Sequence, residues 1–125
     1  MVHVVLPSTL DANELRPGMF ADTAVRTLIE ELESLGGQKS RLLFAMAGGA
    51  QVIQFGDTNL KGQDIGTRNV HAIRSQLQAL KFTLTGIDVG GNLARTLLLH
   101  AESGAVTVRT CTKGEQLLCN LRGTA

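Results

Sequence analysis

Aromatic side chains are scarce in this sequence, which contains no tryptophan, no tyrosine and four phenylalanines. The stacking platforms with which single-stranded nucleic-acid binders hold bases are therefore missing. A field of one charge sign is missing too, because 12 Lys and Arg residues balance 11 Asp and Glu residues to a net charge of +1. These charges are scattered, so no basic surface for nucleic acid or acidic membranes is built in. We expect no nucleic-acid partner.

Long hydrophobic runs and a set of cysteines are missing as well. No apolar run approaches the length that crosses a bilayer, and residues 1–7 lack the cationic and long apolar regions of a secretory signal. The two cysteines, Cys111 and Cys119, are too few for a disulfide framework. These absences predict a cytoplasmic protein without membrane insertion.

The residues that are present suffice for one domain with a real core. The chain has 125 residues, of which 43% are hydrophobic and 18% charged, as in globular proteins. A domain of this length buries roughly two thirds of the surface that its unfolded chain exposes. We predict a single domain over residues 1–125.

The clearest predicted element is an amphipathic helix that follows residue 20. Asp22 lies near its start, where a carboxylate suits the exposed backbone amides, and Gly36–Gly37 ends it by supplying the left-handed conformation. The apolar face of this helix comprises Val25, Leu28, Ile29, Leu32 and Leu35.

Two apolar stretches of the first half predict strands. Residues 3–6 form the end of a short strand that stops at Pro7. Residues 42–47 form a continuous apolar run closed by Gly48–Gly49, which is typical of a buried central strand covered on both faces. Polar, turn-rich segments predict loops at residues 8–19 and 54–65.

The second half of the chain predicts one more helix followed by strands. Residues 82–87 resemble a strand, and residues 96–100 and 105–109 flank Glu102–Gly104 as in a β-hairpin. The tail from Lys113 predicts an edge strand or a frayed end. The order of elements predicts an α/β (α+β) layered sandwich in which a mixed sheet is accompanied by two main helices and a C-terminal β-hairpin. Apolar residues at helical spacing in the second helix are Val70, Ile73, Leu77 and Leu80.

His3 is the first candidate for chemistry, because an imidazole titrates near neutrality and can act as a general base. The alternative is a partly buried histidine of a strand. Nucleophilic catalysis would require a Cys or Ser beside it, and the only thiols, those of Cys111 and Cys119, lie near the other end of the chain. Chain termini are often close in space, although lone cysteines of this kind are mostly inert.

Two glycine pairs and one helix start are the remaining candidates. Gly48–Gly49 follows an apolar strand but lacks the spacing of a phosphate-binding loop, so a tight turn or a close backbone approach is favoured. Asp88 and Arg95 lie on either side of Gly90–Gly91, which predicts a structural ion pair across that turn. Thr67 is a candidate cap of the second helix.

No cofactor or metal is predicted. His71 and His100 have no companions at the spacing of metal ligands. The residues by themselves therefore leave the function open.

Six segments, taken together in their order along the chain, indicate a protein family, which no single feature does. They resemble the CheD family, the chemoreceptor glutamine deamidases of bacterial and archaeal chemotaxis, over essentially the whole chain. The segments are His3–Pro7, Phe20–Val25, Ala47–Ala50, Ile65–Val70, Asp88–Gly91 with Arg95, and Gly114–Leu117.

The resemblance implies a three-layered α/β domain that hydrolyses the side-chain amide of receptor glutamines to glutamate. The family's mechanism resembles papain-type amide hydrolysis with a Cys nucleophile, a His base and a Thr that orients the His. His3 matches the family's catalytic histidine. The implied partners are methyl-accepting chemoreceptors as substrates and CheC-type phosphatases.

The chain also departs from the family pattern. The family's nucleophilic Cys lies in a Gly-Ser-Cys turn before the histidine, with the Thr just upstream, whereas this chain begins two residues before His3. Neither Cys111 nor Cys119 lies at the nucleophile's position. We therefore expect an amino-terminally truncated CheD-like domain that is inactive as written. Three alternatives stay open. The start of the chain was assigned too late, or the chain is a catalytically dead binding module for a CheC-type phosphatase, or it is an unrelated α/β binding domain whose similarity is due to chance.

Overall fold

The computed structural model describes residues 1–5, 20–50 and 65–122, which fall into two compact units. The first unit comprises Met1–Leu42 and Arg68–Phe82, and the second comprises Leu43–Thr67 and Thr83–Ala125. One domain over residues 1–125 stays a prediction. The loop expected at residues 8–19, and that at 54–65 except for its last residue, lie outside the described residues.

Helix α1 (Ala21–Ser34) confirms the most distinct pattern of the sequence. Val25 and Ile29 of its apolar face are buried, Leu28 and Leu32 are half-buried, and Asp22 lies in the first turn. The helix ends as expected, because Gly36 adopts φ +98° and the N–H groups of Gly36 and Gly37 donate to the carbonyls of Glu33 and Leu32, at 3.0 and 2.8 Å. Leu35 is not part of the apolar face, since it follows the helix and its side chain is exposed.

Helix α2 (Ile65–Ala79) lies across the division between the units, and most of it belongs to the first. Leu77 is buried, and the Gln76 side-chain amide donates to the backbone carbonyl of Ala21, which ties α2 to the start of α1. Leu80 lies outside the helix and is exposed, contrary to the prediction. Among the described residues of this unit, the buried hydrophobic side chains are Phe20, Ala21, Ala24, Val25, Ile29 and Leu77.

The strand predicted at residues 3–6 is not formed over residues 3–5. A strand is defined by hydrogen bonds to a neighbouring strand. Here the carbonyl of Val5 instead accepts a hydrogen bond from the side-chain amide of Asn69 on α2. The apolar sequence suits a strand, but this carbonyl is bonded to the side chain of a helix residue and not to the backbone of a neighbouring strand.

The second unit contains a parallel pair of strands, β1 (Phe44–Gly48) and β2 (Leu84–Val89). Strand β1 begins two residues later than predicted. Phe44 is buried and the rest of β1 is half-buried, and within the described residues β1 pairs only with β2. The expectation of a central strand covered on both faces is therefore wrong for the part of the chain that the structure describes.

An antiparallel sheet completes the second unit, with β3 (Thr96–Leu99), β4 (Ala105–Thr110) and β5 (Gly114–Asn120) in that order. The predicted hairpin is confirmed, and the tail forms the predicted edge strand. Val106 and Val108 of the middle strand are buried. The prediction of an α+β fold with two main helices and a C-terminal hairpin is confirmed, while the described strands form two sheets rather than one.

Neither described helix combines the length and the apolar character that a bilayer span requires.

Candidate active site

His3 lies in an exposed position in the first unit, within a segment that α2 anchors. Two residues further on, the Val5 carbonyl accepts a hydrogen bond of 3.1 Å from Nδ2 of Asn69. The imidazole of His3 is therefore accessible from solvent. The alternative of a partly buried strand histidine does not fit, because His3 is exposed and residues 3–5 form no strand.

Asn69 carries an unusual feature for a helix residue. Its Oδ1 atom is buried and finds no hydrogen-bond partner in the described residues. A buried acceptor without a donor costs about 1–3 kcal/mol. Asn69 lies in one of the six segments that resemble the CheD family, but its surroundings in the sequence indicate no role for it. The available signal was its type, since asparagine is a poor residue for a helix interior and its side chain favours local backbone hydrogen bonds.

The two cysteines lie in the second unit. Cys111 is exposed and Cys119 is half-buried, and both are free thiols. Burial raises the pKa of the Cys119 thiol, so its nucleophilic thiolate form is less populated near neutral pH. A Cβ added at Gly86 would lie 2.7 Å from Sγ of Cys119, so this thiol packs against the backbone of β2. The packing indicates a structural role for Cys119.

Glycine pairs end both parallel strands of the second unit. Gly48, the last residue of β1, and Gly49 adopt positive φ angles of +121° and +68°, and Gly90 and Gly91 also adopt positive φ angles after β2. The N–H of Gly90 donates to the carbonyl of Gly48 at 2.9 Å. The glycines of the Gly48–Gly49 turn thus serve backbone geometry, as expected.

Arg95 binds residues at the ends of both parallel strands. Its Nε lies 3.3 Å from Oδ2 of Asp88, its Nη2 donates to Oδ1 of Asp88 at 3.4 Å, and its Nη1 donates to the Gly48 carbonyl at 3.2 Å. The Arg95 side chain is 11% exposed and that of Asp88 is 42% exposed. The predicted Asp–Arg pair is confirmed, and the additional bond to Gly48 links the pair to the end of β1.

Replacing Arg95 by leucine is expected to lower the free energy of unfolding by about 1–2 kcal/mol. A hydrogen bond to a charged group contributes about 1.5–3 kcal/mol, and the exposure of Asp88 reduces the share of the ion pair. Arg95→Lys should recover little, because one ammonium does not reproduce a planar fork that reaches two acceptors. Urea unfolding measures the change, with Asp88→Asn as the control for the ion pair alone. Equal stability of Arg95→Leu and the parent protein would contradict this role.

The start of α2 approaches the same turn closely. A Cβ added at Gly66 would lie 2.7 Å from the backbone oxygen and 2.8 Å from the carbonyl carbon of Gly49, closer than any side chain can tolerate. Thr67 is not the cap of α2, since the helix already begins at Ile65. The close contact with Gly49 leaves no room for a side chain at position 66, which explains why glycine, a poor helix former, stands in the first turn of this helix.

His100 has a companion that its sequence neighbourhood does not reveal. Its Nε2 lies 3.2 Å from Oγ1 of Thr107 and 3.6 Å from Oε2 of Glu115, and the Thr107 hydroxyl donates to the same carboxylate at 2.9 Å. His100, which follows β3, and Glu115 of β5 are exposed, while Thr107 of β4 is half-buried. Among the described residues, no three His, Cys, Asp or Glu side chains are grouped so that they could hold a metal ion.

Comparison with known proteins defines the class of this chain. The model of the CheD family, described as CheD chemotactic sensory transduction, matches residues 5–110. The class is therefore that of chemotactic sensory transduction proteins, and this chain belongs to the CheD family. His3 lies two residues before the matched range.

Curated relatives agree with this assignment. The chain is 41% identical over 117 residues to the chemoreceptor glutamine deamidase CheD of Thermotoga maritima, covering 94% of this chain and 71% of the relative. It is 38% identical over 120 residues to a probable chemoreceptor glutamine deamidase CheD of Syntrophomonas wolfei, covering 94% and 73%. A probable chemoreceptor glutamine deamidase CheD of the archaeon Methanococcus maripaludis is 33% identical over 110 residues, covering 88% of this chain and 70% of the relative.

Proposed function

We propose that this protein is a protein-glutamine deamidase that acts on chemoreceptors and converts glutamine side chains to glutamate in chemotaxis. The observation that carries the proposal is the 41% identity over 94% of the chain to a relative named for this activity. A protein that modifies receptors of the chemotaxis system is expected to work in the cytoplasm.

His3 is the general base of the proposed reaction. It takes the proton from a cysteine thiol, and the thiolate attacks the amide carbon of the substrate glutamine. The same imidazole returns the proton to the leaving nitrogen, so that ammonia departs and a thioester remains. Water then hydrolyses the thioester, which releases glutamate and restores the thiol. His3 is exposed, as its contact with a receptor requires.

We assign the nucleophile to neither cysteine of this sequence. The family pattern places it in a Gly-Ser-Cys turn before the histidine, and both Cys111 and Cys119 follow His3 by more than a hundred positions. Burial also raises the pKa of the Cys119 thiol, which opposes activation.

A direct assay tests the proposed function. The protein is purified from its own cells and incubated with the cytoplasmic fragment of a chemoreceptor, and peptide mass spectrometry follows the conversion of glutamine to glutamate. We expect conversion at particular glutamines with release of ammonia. The Cys111→Ser/Cys119→Ser double variant should convert the receptor at the same rate. Complete loss of activity in a folded double variant would show that the nucleophile assignment is wrong.

The second candidate is a binding module for a CheC-type phosphatase. It is favoured by the setting of the two cysteines, since neither matches the nucleophile's position. It requires a complex between this chain and a CheC-type phosphatase in isothermal titration, together with unchanged receptor glutamines in the assay above. Conversion of receptor glutamines by the chain would reject the module as its sole function, and a complex without conversion would reject the deamidase.

A further inference from the structure

Three features of the described residues have no role in the proposed reaction. They are the exposed network of His100, the groove beside β5, and the amide of Asn69. The side chains of the network bond to one another, and nothing in the described residues shows what ligand this exposed face would hold. The groove, of about 280 Å³ and lined in part by Asp88, Arg95 and Leu117, carries no sign of what would cover it. The amide of Asn69 is the strongest candidate, because its Nδ2 donates to the Val5 carbonyl and its Oδ1 is buried without a partner in the described residues.

We propose that Asn69 is the positioning residue of His3, an inference that rests on the proposed role of His3 as the base. Asn69 donates from Nδ2 to the carbonyl of Val5 at 3.1 Å, across 64 positions of the sequence. Residues 1–5 form no strand, so no ladder of backbone hydrogen bonds fixes this segment to a neighbouring strand. The bond from α2 therefore sets where the backbone beside His3 lies.

The orientation of the Asn69 amide is set by the Val5 carbonyl, because only the nitrogen of the amide can donate to it. Turning the amide over would bring Oδ1 against the Val5 carbonyl, placing acceptor against acceptor. In the orientation present, Nδ2 holds Val5 while Oδ1 stays buried without a partner in the described residues. A residue chosen for stability alone would not leave an acceptor in this state.

A substitution at Asn69 can test the position of the His3 segment with little effect on the stability of the fold. Replacing Asn69 by leucine removes the unpaired buried oxygen and introduces a better helix former. The Val5 carbonyl belongs to a residue that is 43% exposed, so water can replace the lost donor. The fold should tolerate the change, while the segment that carries His3 loses its anchor.

The experiment compares Asn69→Leu with Gln76→Leu in the protein purified from its own cells. Gln76 is a matched control, because its side-chain amide also donates from α2 to a distant backbone carbonyl, that of Ala21. For Asn69→Leu we expect kcat for receptor deamidation to fall about 10–100-fold with little change in KM, since a misplacement of about 1 Å can cost about 100-fold. The thermal midpoint should stay within about 4 °C. Asn69→Gln keeps an amide donor and should recover part of kcat, whereas Gln76→Leu should leave kcat unchanged.

A second measurement needs no activity. Amide hydrogen exchange and nuclear relaxation of residues 2–5 should show greater mobility in Asn69→Leu, and no change in Gln76→Leu or His3→Ala. Mobility raised with kcat unchanged would overturn the positioning role and leave the role of His3 intact. Unchanged mobility would overturn the anchor itself. A parent protein without deamidase activity would refute the proposed function, and the mobility measurement would still decide whether Asn69 anchors the segment.

Discussion

His3→Ala is expected to abolish deamidation of receptor glutamines while the fold stays intact. The base is one member of a catalytic unit, and removing one member of such a unit typically removes most of the rate, here at least about a thousandfold. The fold should survive because His3 is exposed and forms part of no helix or strand. Ammonia release and the glutamate content of receptor peptides measure the rate, and circular dichroism with thermal unfolding measures the fold.

His71→Ala is the matched control for this prediction. His71 is also exposed, but it lies on α2 and the resemblance gives it no role. Its replacement should leave the rate unchanged, and added imidazole should restore part of the activity of His3→Ala only. Ammonia release at the unsubstituted rate by a folded His3→Ala variant would show that the role given to His3 is wrong.

Gly66→Ala should destabilise the protein by about 2 kcal/mol, although helix propensity alone predicts the opposite sign. Alanine in a helix is favoured over glycine by about 1 kcal/mol. The added Cβ, however, would lie 2.7 Å from the backbone oxygen of Gly49 and 2.8 Å from its carbonyl carbon. Backbone atoms cannot rotate away as a side chain does, so the end of β1 or the start of α2 must move, and such overpacking costs about 1–3 kcal/mol or more.

Urea unfolding distinguishes the two signs, and Ser75→Ala supplies the reference. Ser75 is an exposed residue of the same helix, so its replacement reports the propensity gain alone, about 0.5 kcal/mol. An increase of stability in Gly66→Ala similar to that in Ser75→Ala would show that the close approach to Gly49 is not a constraint.

Local signals in the sequence determined the elements that need no distant partner. The amphipathic spacing over residues 21–35 predicts α1, and Gly36 ends it, because a helix closes its hydrogen bonds within itself. The hairpin of β3 and β4 was predictable for the same reason, since its strands pair across a short turn. The Asp88–Arg95 pair spans only seven positions and was predicted as well.

Signals of this kind failed where the partner is distant in sequence. Residues 3–6 are as apolar as a strand, yet a strand requires a neighbouring backbone, and Val5 is bound by Asn69 of α2 instead. Leu35 and Leu80 continue the helical spacing, but each follows the last turn of its helix, where a leucine faces solvent.

The sequence by itself determined the α+β class, the main elements and the resemblance to the CheD family, on which the proposed role of His3 rests. Those conclusions rest on periodicity, turn residues and motifs, all of which act over a few positions. Only the tertiary structure decided that the Asn69 side chain donates to the Val5 carbonyl, that Gly66 packs on Gly49, and that His100 lies beside Glu115. Each of these contacts joins residues 15 or more positions apart, and spacing along a chain carries no information about such distances until the backbone has folded.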